Sequence, residues 1–153
     1  FEGLEVVEAD VACWRGAARF DHAFANPPWH DAAATASPDA RRDAARRARP
    51  ALFADWARAL AGALKPRGSL TLILAADHMA AGLAALSAAG CGSPALWPFW
   101  PRPGRPARLV LLRAIRGGRG PCRVLPGLTL HAPGGGFTGE AEAILRDGAA
   151  LGW

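Results

Sequence analysis

Apolar and polar positions alternate between two periods along this chain, and the switches mark its elements. Leu4 to Val11, LEVVEADV, reads as a strand ending near Asp10. Phe20 to Ala25, FDHAFA, reads as a second, short and mostly apolar strand. A polar, Ala- and Arg-rich stretch follows from Asp31 to Arg49, in which Ser37-Pro38-Asp39 has the chemistry of a helix start. Leu52, Phe53, Trp56, Leu60 and Leu64 recur at helical spacing and predict a helix over Pro50–Leu64. KPRG should stop it, and Gly68–Ala75, GSLTLILA, is a continuous apolar run of the kind buried on both faces of a sheet. Asp77 is placed to cap a helix over His78–Ala89, ended by Gly90. Pro94–Trp100 and Ala107–Ile115 read as strands joined by PRPGRP, a connection short enough to favour an antiparallel pair. After RGGRGP, Val124–His131 reads as one more strand, PGGG as a turn, and Thr138–Arg146 as a helix capped by Thr138. Strands alternating with helices, closed by a hairpin, predict an α/β sheet.

The second strand ends unusually, in Asn26-Pro27-Pro28-Trp29. Neither proline can donate to a sheet ladder, so the strand must stop at Asn26, and Pro27 biases Asn26 towards an extended backbone. The result is a stiff corner offering an amide side chain, bare carbonyls and an indole face. In open α/β sheets ligands bind beyond the carboxyl ends of the strands, where both Asp10 and this corner are expected to fall. A planar base with an exocyclic amino group would suit the corner. The Asn26 side-chain oxygen and the Pro27 carbonyl can each accept one amino hydrogen, which rehybridises the nitrogen and aims its lone pair. Trp29 can stack on the ring, a contact worth about 1–3 kcal/mol in single-stranded contexts. Orientation does most of the work in such a site, and no metal or covalent nucleophile is required. As a packing element alone, the same tetrapeptide would be a proline-stiffened strand end with a buried Trp.

Composition narrows the partners. The 153-residue chain carries 18 basic against 13 acidic residues, a net charge of +5, and all the basic residues except Lys65 are arginine. Absent tyrosine and abundant alanine suggest a GC-rich coding sequence, so coding bias contributes to that arginine excess. A polyanionic partner still fits. Arg41, Arg42, Arg46, Arg47 and Arg49 form the densest basic cluster, and Arg102, Arg105 and Arg108 punctuate the hairpin loop. RNA phosphate contact and a solvated surface are the competing readings for both. Arg116 and Arg119 in RGGRG read better as a surface turn than as a single RNA-binding repeat. Cys13, Cys91 and Cys122 lack metal-ligand spacing, and a reducing, cytoplasmic setting suits them. The uncharged stretch from Met79 to Pro101 is broken by glycine and proline, which disfavours a membrane span. His22 alternates with Phe20 and Phe24 and reads as a partnered core histidine, His30 adjoins the corner, and Trp56, Trp97 and Trp100 read as packing residues.

With these residues in place, the sequence resembles class I S-adenosylmethionine-dependent methyltransferases of the [DNS]PP[YFW] type. NPPW carries the broad resemblance. ALKPRGSLTLIL, PRPGRPARLVLLRAIRGGRGP and LPGLTLHAPGGGFTGEAEAILRDGA extend it over nearly the whole chain, towards the bacterial tRNA adenine N6-methyltransferases that modify a valine tRNA. The resemblance implies a Rossmann-like sheet with strand order third, second, first, fourth, fifth, seventh, sixth, in which the strand ending at Asp10 is the third and that ending at Asn26 the fourth. It implies Asn26, Pro27, Pro28 and Trp29 as the catalytic target-amine site, and Asp10, Val11 and Asn26 as contacts of S-adenosylmethionine. Trp stands here where the family more often has Tyr or Phe. It implies direct methyl transfer to adenine N6 in tRNA, with Arg41, Arg42, Arg46, Arg47, Arg49, Arg102 and Arg105 as candidate RNA contacts. The family's glycine-rich cofactor loop and first strands have no counterpart ahead of NPPW. Residues 1–153 therefore read as one partial methyltransferase domain, with core elements over 1–116, a carboxyl-terminal extension over 117–153, and an open edge on the strand that ends at Asn26. As given, the chain is expected to be inactive by itself. The alternatives are transfer to a guanine amino group or a protein glutamine, and a non-catalytic RNA-binding remnant.

Overall fold

The computed structural model describes residues 4–28 and 51–152. Trp29, His30, the expected helix start at Ser37 and the Arg41–Arg49 cluster lie outside the described residues.

Six strands form one sheet. They are β1 (Phe20–Ala25), β2 (Leu64–Ala75), β3 (Cys91–Trp100), β4 (Leu109–Arg116), β5 (Arg123–Val124) and β6 (Leu128–Thr129). Among the described residues there are also three helices, α1 (Leu52–Ala63), α2 (Met79–Ala88) and α3 (Gly139–Asp147), and a 3-10 turn at Ala76–His78. The strand order is β1-β2-β4-β3-β5, with β6 also paired to β3. β1 and β2 are parallel, and β4 is antiparallel to both β2 and β3. The order β1-β2-β4-β3 is the fourth-fifth-seventh-sixth half of a class I methyltransferase sheet, as the sequence led us to expect.

Alternation along the strands builds two apolar layers. Leu70, Leu72 and Leu74 of β2 and Leu112 of β4 are wholly buried and meet Phe53, Ala57 and Ala61 of α1 and Ala85 and Leu86 of α2. Burying each such leucine contributes about 1.5–3 kcal/mol. Trp56 and Leu60 of the expected helix face pack only at the margin of this core, where small alanines let α1 approach the sheet. The opposite face carries a second, smaller core of Trp97, Leu128 and Ala141, flanked by Phe99, Leu111 and Ile144. This core fastens α3 and the carboxyl-terminal segment to β3.

Several expectations need correction. Leu4–Val11 forms no strand. Leu4, Val6 and Val7 are exposed, and no described strand lies alongside to satisfy their backbone groups. KPRG does not separate helix from strand. α1 hands over directly to β2, whose Leu64 is already extended, and the register shift between Phe20 and His22 is taken up over Lys65–Gly68. The cap at Asp77 is also absent, because a 3-10 turn intervenes and α2 starts after His78 without a side-chain cap bond. Val124–His131 is split into β5 and β6, both parallel to β3, because Pro126-Gly127 interrupts it. The Thr138 cap is present, its hydroxyl oxygen accepting from the Ala141 amide at 3.1 Å while its proton goes to the Thr129 carbonyl at 2.7 Å.

Candidate functional site at the carboxyl edge of the sheet

Because β1, β2 and β3 run the same way, their carboxyl ends share one edge of the sheet. The β6 strand, parallel to β3, ends there too, and antiparallel β4 begins there. Four segments therefore meet along this edge. They are Asn26-Pro27-Pro28 after β1, the 3-10 turn after β2, the loop from Pro101 to Arg108 between β3 and β4, and His131 after β6.

The first segment is built as its chemistry requires. Pro27 is among the fully buried side chains, Pro28 is half-buried and Asn26 is exposed. The buried ring anchors the corner, so the Asn26 amide projects from a fixed point and not from a mobile loop. Neither the Asn26 side chain nor the Pro27 carbonyl forms a hydrogen bond with another described residue. Both acceptors are available.

Beside it, Ala76 donates its backbone N–H to the Arg108 carbonyl at 2.9 Å, which ties the end of β2 to the start of β4. His78 packs in a tilted arrangement against Phe53, ring centroids 5.4 Å apart. Strand spacing of about 4.8 Å puts Arg108 roughly 10 Å from Asn26 along the edge, and the end of β3 roughly 14 Å away. Arg102, Arg105 and Arg108 are exposed, with no ion pair to any described carboxylate.

Asp10 and Val11, expected beside Asn26 as cofactor contacts, do not join this arrangement. The Asp10 carboxylate accepts from the Ala12 amide at 2.9 Å, and its carbonyl accepts from Cys13 and Trp14, closing a local turn. Val11 lines an open, mostly apolar cavity of about 760 Å³ beside Phe20, Trp56 and Leu60. That cavity lies by the amino end of β1, whereas Asn26 closes the other end, about 20 Å away at 3.3 Å per residue. The described residues thus provide a stiff acceptor corner but no cradle for S-adenosylmethionine, and the group does not fit the Asp10–Val11 turn as it stands here.

Other singled-out residues find structural work. The His22 Nδ1 pairs with the Ser69 hydroxyl at 2.7 Å, although the residue is exposed on an edge strand. The Arg116 guanidinium donates to the Gly62 and Leu64 carbonyls at the end of α1, which makes it a helix-end clamp. Trp97 is core, while Trp100 is only half-buried. Cys91 is buried, and burial pushes its thiol pKa up against the opposing pull of Arg116; Cys13 and Cys122 are exposed. Among the described residues no His, Cys, Asp and Glu group could hold a metal ion. No helix there is long and apolar enough to cross a membrane. Sequence reasoning passed over His131, since only the β3–β6 pairing brings it to the working edge.

No protein-family model matches the chain, and no curated protein matches it. Among solved structures it is similar to a predicted O-methyltransferase of Agrobacterium tumefaciens, at 26% identity and a TM-score of 0.76. The alignment covers 96% of this chain and 64% of that protein, so the chain spans somewhat less than two thirds of its neighbour's length. Strand order and structural neighbour agree, and the chain has a methyltransferase-like Rossmann fold.

Proposed function

We propose that this chain carries the target-binding half of an S-adenosylmethionine-dependent methyltransferase that modifies adenine N6 in tRNA. The observation that carries the reading is the corner after β1, with Asn26 exposed above a fully buried Pro27. Two fixed acceptors suit a group with two hydrogens. An aromatic amine gives one hydrogen to the Asn26 Oδ1 and the other to the Pro27 carbonyl, and its lone pair is then directed away from both. A hydroxyl has one hydrogen and would leave an acceptor unmatched. Trp29 adds an aromatic surface next in sequence. The arginines of the loop from Pro101 to Arg108, on the same edge, favour a polyanionic substrate over a free nucleobase.

S-adenosylmethionine would supply the electrophilic methyl group. The Asp10–Val11 turn does not fit it in this chain, whose own residues hold and orient the amine. A second reading, methyl transfer to oxygen, is favoured by the similarity to a predicted O-methyltransferase.

The test is methyl transfer from labelled donor to total tRNA by the full-length natural protein, followed by nucleoside analysis. Label in N6-methyladenosine supports the proposal. Label in a methylated guanine amine or in a ribose oxygen overturns the adenine assignment. Label that reaches only protein moves the target to a glutamine amide, and RNA binding without any transfer moves the chain to a non-catalytic RNA-binding remnant.

A further inference from the structure

The loop from Pro101 to Arg108 is more constrained than an exposed connection needs to be. Pro101, Pro103 and Pro106 fix three of its backbone torsions. Arg105 donates its amide to the Arg102 carbonyl at 3.1 Å, closing a turn with Pro103 and Gly104 at its centre and Gly104 at φ +70°. Pro followed by left-handed Gly is the pattern of a type II turn. The loop is also held from the side, since Leu130 donates to the Trp100 carbonyl at 2.8 Å and His131 to the Pro101 carbonyl at 3.2 Å. Arginines spaced along such a loop hold their positions before any ligand arrives, which lowers the ordering cost of binding.

Two adjoining cavities open on this loop. One, of about 410 Å³, is lined by Arg102, Arg105, Arg108 and His131. The His131 Nδ1 lies 3.1 Å from the Gly136 carbonyl, which can only accept, so Nδ1 carries a proton and Nε2 remains for a ligand. Its ring is stacked on Phe137, centroids 5.0 Å apart, and is therefore held in place. The other cavity, of about 500 Å³, shares Arg105 and Pro106 and is lined by Trp100 and Thr129. The Trp100 Nε1 donates to the Pro126 carbonyl at 3.0 Å, which fixes the indole plane.

A cationic cavity abutting a fixed indole matches one chemical unit, a nucleotide. We propose that these cavities form a second RNA subsite. The phosphate sits among Arg102, Arg105 and Arg108, the His131 Nε2 accepts from a ribose 2′-hydroxyl, and the base packs against Trp100. The subsite lies about 14 Å along the sheet edge from Asn26. It would hold a nucleotide a few positions from the modified one, in a single-stranded segment where bases are free to stack. An acidic peptide would use the arginines and leave the indole idle. The inference rests on the RNA reading of the Asn26 corner but is tested without any methyl donor.

The experiment is a salt titration of single-stranded RNA oligomer binding, read by fluorescence anisotropy. Arg102→Ala/Arg105→Ala should flatten the dependence of log affinity on log salt by about 1.4, at about 0.7 per phosphate contact on single strands. The charge-matched control Arg119→Ala/Arg123→Ala, on the far side of β3, should leave the slope unchanged. Trp100→Leu should weaken binding about tenfold at every salt concentration, from a lost stacking contact of about 1–3 kcal/mol. Trp100→Phe keeps a π face and should retain most of the affinity, which separates stacking from a folding defect. Equal slopes in the two double variants, or RNA affinity equal in Trp100→Leu and wild type, would overturn the subsite. Polyglutamate displacing RNA as well as a second RNA oligomer does would overturn it too. Methyl transfer to tRNA without these binding effects would sink the subsite alone, and these effects without methyl transfer would sink the catalytic reading alone.

Discussion

Gly127 offers a direct test of how the carboxyl-terminal segment is fastened to the sheet. It stands between β5 and β6 at φ +79°, and a Cβ there would lie 2.3 Å from the Pro98 carbonyl oxygen and 2.8 Å from the Trp100 Nε1. Gly104 has a similar φ of +70°, yet a Cβ there would meet nothing within 4 Å. Alanine at either position pays the left-handed backbone cost, about 1–2 kcal/mol. Only at position 127 must the backbone of β3 also move, an overpacking cost of about 1–3 kcal/mol. Gly127→Ala should therefore lose about 2–5 kcal/mol and Gly104→Ala about 1–2. With a urea slope of about 2 kcal/mol per molar, the unfolding midpoint should fall by about 1–2.5 M in the first variant and by 0.5–1 M in the second. Urea unfolding followed by circular dichroism gives both numbers. Equal midpoint losses would mean that the Pro126-Gly127 turn does not press on β3. The anchoring of the Trp100 indole would then be wrong as well.

Three further outcomes are expected. Asn26→Ala in the full-length protein should lower methyl transfer about 10²–10³-fold, the scale of removing one aligned polar contact from a reacting group, while RNA affinity measured by anisotropy stays near wild type; unaltered transfer would return the corner to a packing role. The 153-residue chain should show no micromolar binding of S-adenosylmethionine by calorimetry, because Asp10 and Val11 turn away from the Asn26 corner; micromolar binding would refute that geometry. Iodoacetamide should label exposed Cys13 and Cys122 quickly and Cys91 only on unfolding, since burial and a raised pKa both suppress its thiolate, with mass spectrometry of the labelled peptides as the readout and fast labelling of Cys91 in the folded protein as the contrary result.

Sequence legibility followed the range of the interactions that decide each element. The end of β1 ahead of Pro27 could be read because proline acts on its own residue and the one before it. The buried run Gly68–Ala75 could be read because a strand covered on both faces has no polar alternation to confuse. The cap at Thr138 is decided within three residues. Leu4–Val11 was misread because its composition suits a strand, but a strand exists only through a neighbour and none is described beside it. Val124–His131 was misread as continuous because its apolar residues outweighed Pro126-Gly127, whose consequence is set by close contact with Pro98 across the sheet. At the candidate site, the sequence order alone places Asn26 after β1 and the arginines in the loop after β3. The meeting of Trp100, Arg105 and His131 was not legible, because it depends on β6 running parallel to β3 over a separation of about thirty residues.

The pairing of β4 explains why the Asn26 corner and the loop arginines converge where they do. A loop joining β3 to β4 can lie at either edge of a sheet, depending on the direction of β3. Here β4 inserts antiparallel between β2 and β3, so β3 must run parallel to β1 and β2. The connection is then forced to the carboxyl edge, the edge at which Pro27 arrests β1. Further along the chain, the Leu128–Thr129 pairing with Phe99 and Trp100 repeats that direction and delivers His131 to the same place. Topology alone thus sets a stiff acceptor corner, three arginines and a fixed indole along one edge. Coding bias can raise the number of arginines on a protein, but it cannot choose which sheet edge receives them or hold Trp100 to Pro126. That placement, more than the net charge, supports the proposal of an RNA strand laid along the carboxyl ends of β1, β2 and β3.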